Sequence, residues 1–166
     1  MSSPVVTPPD GGGPFPVPVE GGTLAAYLAR PAPSAAGGSG RHGLVICHGF
    51  PDDQANNPNR GYQQLADRLA ADAGWVVLTF SFRGTSESTG NFSLGGWLAD
   101  LKVAIEVMRA GGVDAVWLCG FAAGGALAIC AAGEDPRVRG VASFSAPADF
   151  ADRANDARRF VAQARA

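Results

Sequence analysis

The strongest constraint on this chain is a series of short, wholly apolar segments separated by stretches with helical spacing. Residues 44–48 read LVICH, 75–82 read WVVLTFSF and 116–121 read VWLCGF. A strand that is apolar at every position is covered on both faces, so these segments predict the inner strands of a parallel sheet. Residues 61–73 place Leu65, Ala66, Leu69, Ala70 and Ala73 on one helical stripe, and 97–111 repeat the spacing through Leu98, Leu101, Ile105 and Met108. Residues 122–133 read as a helix of small side chains. Residues 137–147 predict a fourth parallel strand, and 149–164 a last helix. Residues 17–31, VPVEGGTLAAYLARP, predict two short strands around Gly21 and Gly22. The expectation is an α/β fold: a mostly parallel sheet of about six strands with helices on both faces.

The ends of the chain differ from this pattern. Residues 1–16 are rich in proline and glycine and offer little to bury, so a disordered tail is expected there, with one domain over 17–166. Residues 32–43 predict a flexible connector. The N-terminus has neither a positive start nor a continuous apolar region, and no apolar run reaches the roughly 20 residues of a membrane span. These features predict a cytoplasmic protein with no membrane partner. With 13 basic and 15 acidic residues and no basic run, no nucleic-acid partner is expected. Cys47, Cys119 and Cys130 are odd in number and lie in apolar segments, which predicts packing rather than disulfides. Only His42 and His48 supply imidazoles, so neither a metal centre nor a cofactor is expected. Asp52, Asp53 and Asn56 invite a metal reading, but Asn-Asn-Pro-Asn favours a turn.

In open parallel sheets, ligands sit at the carboxyl ends of the strands. The residues there are His48-Gly49-Phe50-Pro51, Ser81 to Ser88, Gly120 to Gly125 and Ser145 to Asp149. The third cluster, Gly120-Phe121-Ala122-Ala123-Gly124-Gly125, places small residues around a central position in a strand–turn–helix context. That is the setting of a nucleophile elbow. The glycines also admit a plainer reading as close strand–helix packing, and a phosphate-binding turn is a third.

The ordered set HGFP (48–51), SFRG (81–84) and GFAAGG (120–125) resembles the α/β-hydrolase fold family. It is similar to the serine-hydrolase branch that holds small esterases and serine-aminopeptidase-like enzymes. The resemblance covers about residues 17–150 and implies an incomplete α/β-hydrolase fold. It implies that residue 122 is the nucleophile position and that the N–H groups of Phe50 and Ala123 hold an oxyanion. Pro51 has no N–H to offer. It further implies that His48, Gly49, Gly120 and Gly124 shape the pocket and its loops, and that Arg83 is structural. Asp149 stands near where some relatives carry the acid, and equally where a helix N-cap would fall.

Two departures bear on function. Residue 122 is Ala, which has no atom that attacks a carbonyl. Relatives also place their acid and base after further strands, for which this chain has no match. A segment of a longer hydrolase, a member that lost its nucleophile and an alanine put in place of serine all fit. The expected function is that of a protein related to serine ester or amide hydrolases, inactive as the chain stands. The alternative is a binding module for a ligand, such as a small apolar ester or amide, or for a protein. The strand holding Val141, Ala142 and Phe144 becomes a sheet edge, which invites self-association.

Overall fold

The computed structural model describes residues 6–32, 41–50 and 58–149. The expected last helix, from 150 on, and the loop 51–57 lie outside the described residues. The elements run β1 Gly13–Val19, β2 Gly22–Ala29, β3 His42–Cys47, α1 Pro58–Ala73, β4 Val76–Phe80, α2 Leu94–Ala110, β5 Ala115–Phe121, α3 Ala123–Glu134 and β6 Val138–Phe144. The six strands form one sheet in the order β1-β2-β4-β3-β5-β6. β4, β3, β5 and β6 are parallel, and the β1–β2 hairpin joins antiparallel along β4.

Alternation along the strands divides the core into two layers. Val76, Leu78 and Phe80 of β4 face the larger one, with Trp97, Leu101 and Ile105 of α2 and Leu127, Ala128 and Ala131 of α3. Val77 faces the other way, against Ala66 and Ala70 of α1. α1 therefore covers one face while α2 and α3 cover the other, as the apolar strands require. Burying each large side chain such as Leu78, Leu101 or Ile105 contributes about 2 kcal/mol.

Three boundaries differ from the expected ones. β1 begins at Gly13, inside the segment whose composition suggested disorder. Pro14, Pro16 and Pro18 alternate along it on the exposed side, while Val17 and Val19 are buried. At an edge strand, alternate residues need no donor, so prolines at that spacing are compatible with pairing. α1 begins at Pro58, where a missing N–H costs nothing. α2 begins at Leu94, capped by Ser93, whose Oγ accepts from the Gly96 N–H at 3.0 Å. Gly95 and Gly96 in its first turn hid that start.

Candidate functional site

The turn between β5 and α3 is the most constrained backbone at the carboxyl rim. Ala122 has φ 48° and ψ −120°, a conformation that costs a residue with a Cβ about 1–3 kcal/mol. Its surroundings hold it there. The Ala122 N–H donates to the Phe144 carbonyl at 2.8 Å, and its own carbonyl accepts from Gly125 at 3.0 Å and Ala126 at 3.3 Å. The flanking glycines are sterically required. A Cβ on Gly120 would lie 2.5 Å from Gly125 Cα, and one on Gly124 would lie 2.7 Å from the Cys47 carbonyl oxygen. A Cβ on Gly49 would lie 2.9 Å from that of Ala122. Three backbone segments thus converge on residue 122, whose methyl group is half-buried. The Ala123 N–H opens α3, where the helix itself supplies no acceptor and its dipole favours negative charge.

Backbone strain gathers along this rim. Among the described residues, the non-glycine positions with positive φ are Ser86, Ala122 and Ser145, which follow β4, β5 and β6 respectively. Strained residues persist where the surrounding structure over-determines them, and such places are commonly functional.

His48, just past β3, is 3% exposed. The Phe82 N–H donates to its Nε2 at 3.0 Å, so that nitrogen is unprotonated. Nδ1 therefore carries the hydrogen and donates to the Gly49 carbonyl at 2.5 Å. Burial pushes the pKa down to about 4, against a smaller opposing effect of the Gly49 carbonyl. The ring is thus neutral, with both nitrogens committed, and it ties the loop after β3 to the end of β4. Thr85 closes the same corner through its Oγ1, which donates to the Phe82 carbonyl at 2.6 Å. His42, the other imidazole of the sequence, opens β3 at the opposite end of the sheet, 5.1 Å from the Trp75 ring.

Arg83 turns toward α2. Its Nε and Nη2 donate to Asp100 Oδ1 at 2.9 and 2.6 Å, and its backbone N–H to Asp100 Oδ2 at 2.9 Å. The hydrogen bond to Asp100 raises the Arg83 pKa above the usual arginine value. Trp97 Nε1 donates to the Arg83 carbonyl at 3.0 Å. The Trp97 ring stacks on Phe82 at 4.5 Å and lies 5.0 Å from Phe50. Phe50 is thereby packed in the core, which fixes the backbone of residues 49–50. Sequence reasoning missed Asp100. Its signal was a single acid on the apolar stripe of Trp97, Leu101, Ala104 and Met108, and it is fully buried.

The structure brings Gly49, Gly120, Ala122, Ala123 and Gly124 together, with His48 and Phe50 adjoining through the chain after β3. Asp149 is exposed at the last described position, and the helix it was expected to cap lies outside the described residues. Asp52, Asp53 and Asn56 also lie outside them. Among the described residues, no group of three or more His, Cys, Asp or Glu is placed to hold a metal ion, and no helix is long and apolar enough to cross a membrane. Cys47 and Cys119 are buried as expected, and burial raises both thiol pKa values. Cys130 is exposed, contrary to expectation. α3 packs through Leu127, Ala128 and Ala131, which leaves Ile129 and Cys130 outside. A cavity of about 350 Å³ lies between the hairpin and α1, lined by Phe15, Tyr27, Gln63, Thr79 and Phe80, and it does not include residue 122.

A family model described as alpha/beta hydrolase fold matches residues 44–165. Comparison with curated proteins gave no match. Among solved structures, an α/β serine hydrolase without a lid from Xanthomonas campestris is similar at 25% identity and TM-score 0.72, covering 89% of this chain and 68% of that one. An esterase from Pyrococcus furiosus is similar at 18% identity and TM-score 0.64, covering 88% of this chain and 60% of its own. A proline iminopeptidase-related protein from Thermus thermophilus is similar at 21% identity and TM-score 0.60, covering 84% and 46%. The chain thus spans about half to two thirds of the length of these relatives.

Proposed function

Because the chain belongs to the alpha/beta hydrolase fold family, on a match that spans most of its length, we propose that it retains the oxyanion-holding half of a serine-hydrolase site and lacks the attacking half. The observation that carries this reading is Ala122 held at φ 48° and ψ −120° between a strand and a helix. That is the conformation in which a nucleophile elbow presents its side chain. In this reading the Ala123 N–H at the start of α3 and the Phe50 N–H after β3 face the oxygen of a bound carbonyl. A methyl group at 122 offers no lone pair to that carbonyl, so no acyl intermediate forms.

Nor does the sequence supply a base. Both nitrogens of His48 are hydrogen-bonded within the fold, and His42 sits at the far end of β3. Asp149, the acid candidate, has no triad to complete without an imidazole. The chain as it stands therefore binds a small apolar ester or amide without cleaving it. His48, Gly49, Gly120, Gly124 and the Arg83–Asp100 pair keep the site in shape. The alanine at position 122 favours binding over catalysis.

Amide NMR during titration with p-nitrophenyl butyrate, with released nitrophenolate followed in parallel, tests the proposal. The expected result is shifts at Phe50 and Ala123 with release at the buffer rate. Turnover abolished by a serine-directed covalent inhibitor would overturn it.

A further inference from the structure

The cavity of about 350 Å³ at the hairpin end of the sheet takes no part in the site around residue 122. Three of its lining side chains form a row across the strands. Pro14 of β1 pairs with Tyr27 of β2, and Tyr27 pairs with Thr79 of β4. Cross-strand partners stand on one face of a sheet. Here it is the face that α1 covers, since Tyr27 packs with Ala66 and Ala70. Tyr27 Oη donates to Asp67 Oδ1 at 2.8 Å, which holds the ring between the hairpin and α1. Gln63 of α1 and Glu87 of the loop after β4 complete the polar lining. Thr79 is 5% exposed, yet its hydroxyl has no hydrogen-bond partner among the described residues. A buried hydroxyl ordinarily has one. Its oxygen is not among the sealed atoms, so the little surface that Thr79 keeps opens into the cavity. The half-buried Gln63 amide is likewise without a partner among the described residues. Among those residues neither lysine nor arginine lines the cavity, and Glu87 is its one acid.

We propose that this cavity binds a neutral pyranose sugar. A pyranose has an apolar C–H face and a rim of hydroxyls, and the lining offers a match for each. The C–H face rests on the Tyr27 ring, whose π face carries negative charge density, and on the Pro14 ring beside it. The hydroxyls pair with the Thr79 hydroxyl and the Gln63 amide, each of which both donates and accepts, and with the Glu87 carboxylate. An anion finds no counter-charge here and meets Glu87 instead. An organic cation pairs with Glu87 but gives the Thr79 hydroxyl nothing to bond. The volume lies at the small end of the range of about 300–1,000 Å³ for ligand pockets, which suits one or two sugar rings.

The test is an amide NMR titration of the 166-residue chain with methyl glucoside, methyl galactoside and methyl mannoside, and with choline as the cationic probe. The expected result is saturable shifts at Ala25, Tyr27, Gln63 and Thr79 with at least one glycoside, at a Kd of about 1 mM, and none with choline. Thr79→Val keeps the side chain's shape and removes only an unpaired hydroxyl, so it melts no lower than the unaltered chain. It should nevertheless bind the glycoside about tenfold more weakly. Gln63→Ala should weaken binding by a similar factor, and it decides the matter should Thr79→Val fail to fold. Absence of saturable shifts with every glycoside, binding of choline in their place, or undiminished binding by the folded variants would overturn the inference.

Discussion

His48 fixes the corner on which the site is built, and replacing or protonating it should open that corner. The ring donates from Nδ1 to Gly49 in either state, but its Nε2 accepts from the Phe82 N–H only while the ring is neutral. Its pKa falls from 6.5 to about 4 because the buried ring resists charge. Above about pH 6.5 both folded and unfolded chains hold it neutral, and its full contribution to stability is present. Between pH 6.5 and 4 the unfolded chain takes up a proton that the folded chain refuses, so stability falls. Below about pH 4 both forms are protonated and this group removes nothing more. The difference corresponds to about 3 kcal/mol. Urea denaturation of the unaltered chain and His48→Gln, at intervals from pH 7.5 to 4, isolates the effect from the carboxylates that titrate in both. The variant should be less stable at pH 7 by about 1–3 kcal/mol, from imperfectly paired Phe82 and Gly49 groups. Its decline toward pH 4 should be shallower by about 3 kcal/mol. Parallel pH profiles for the two proteins would refute the burial and hydrogen bonding assigned to this ring.

Asp100→Asn should cost about 3–5 kcal/mol in the same assay, because it leaves the Arg83 guanidinium largely buried without its counter-charge. Ala122→Gly should raise stability by about 1 kcal/mol, as relief of backbone strain outweighs the entropy of glycine; a melting temperature at or below that of the unaltered chain would contradict the strain. Of the three cysteines, only Cys130 should react with a thiol reagent in the native state. Cys47 and Cys119 should follow on unfolding, and early reaction of either would place it outside the core.

The fold was legible in the sequence because its inner strands are apolar at nearly every position, a pattern that a parallel sheet with two covered faces demands. The close strand–helix approach at Gly120 and Gly124 was legible too, since the structure leaves no room there for a Cβ. What escaped depends on partners distant in sequence. Asp100 looks like a stray charge until Arg83 is brought beside it. Pro14, Pro16 and Pro18 look like a tail until an edge position makes their spacing compatible with a strand. The exposure of Cys130 follows from which side of α3 meets the sheet. That helix is too uniformly small and apolar for its spacing to tell.

In the proposed reading, residue 122 stands where a nucleophile elbow would present its side chain, and an alanine occupies that place. The most direct measurement is the reaction of Ala122→Cys, in a Cys130→Ser background, with p-nitrophenyl acetate. A thiolate at a helix start is nucleophilic without a neighbouring base. The expected result is a burst of one equivalent of nitrophenolate and then arrest, since neither imidazole of the chain is placed to activate water for release of the acyl group. No burst, or a burst followed by steady turnover, would contradict it: the first by showing that the turn does not present its side chain to an ester, the second by revealing a base.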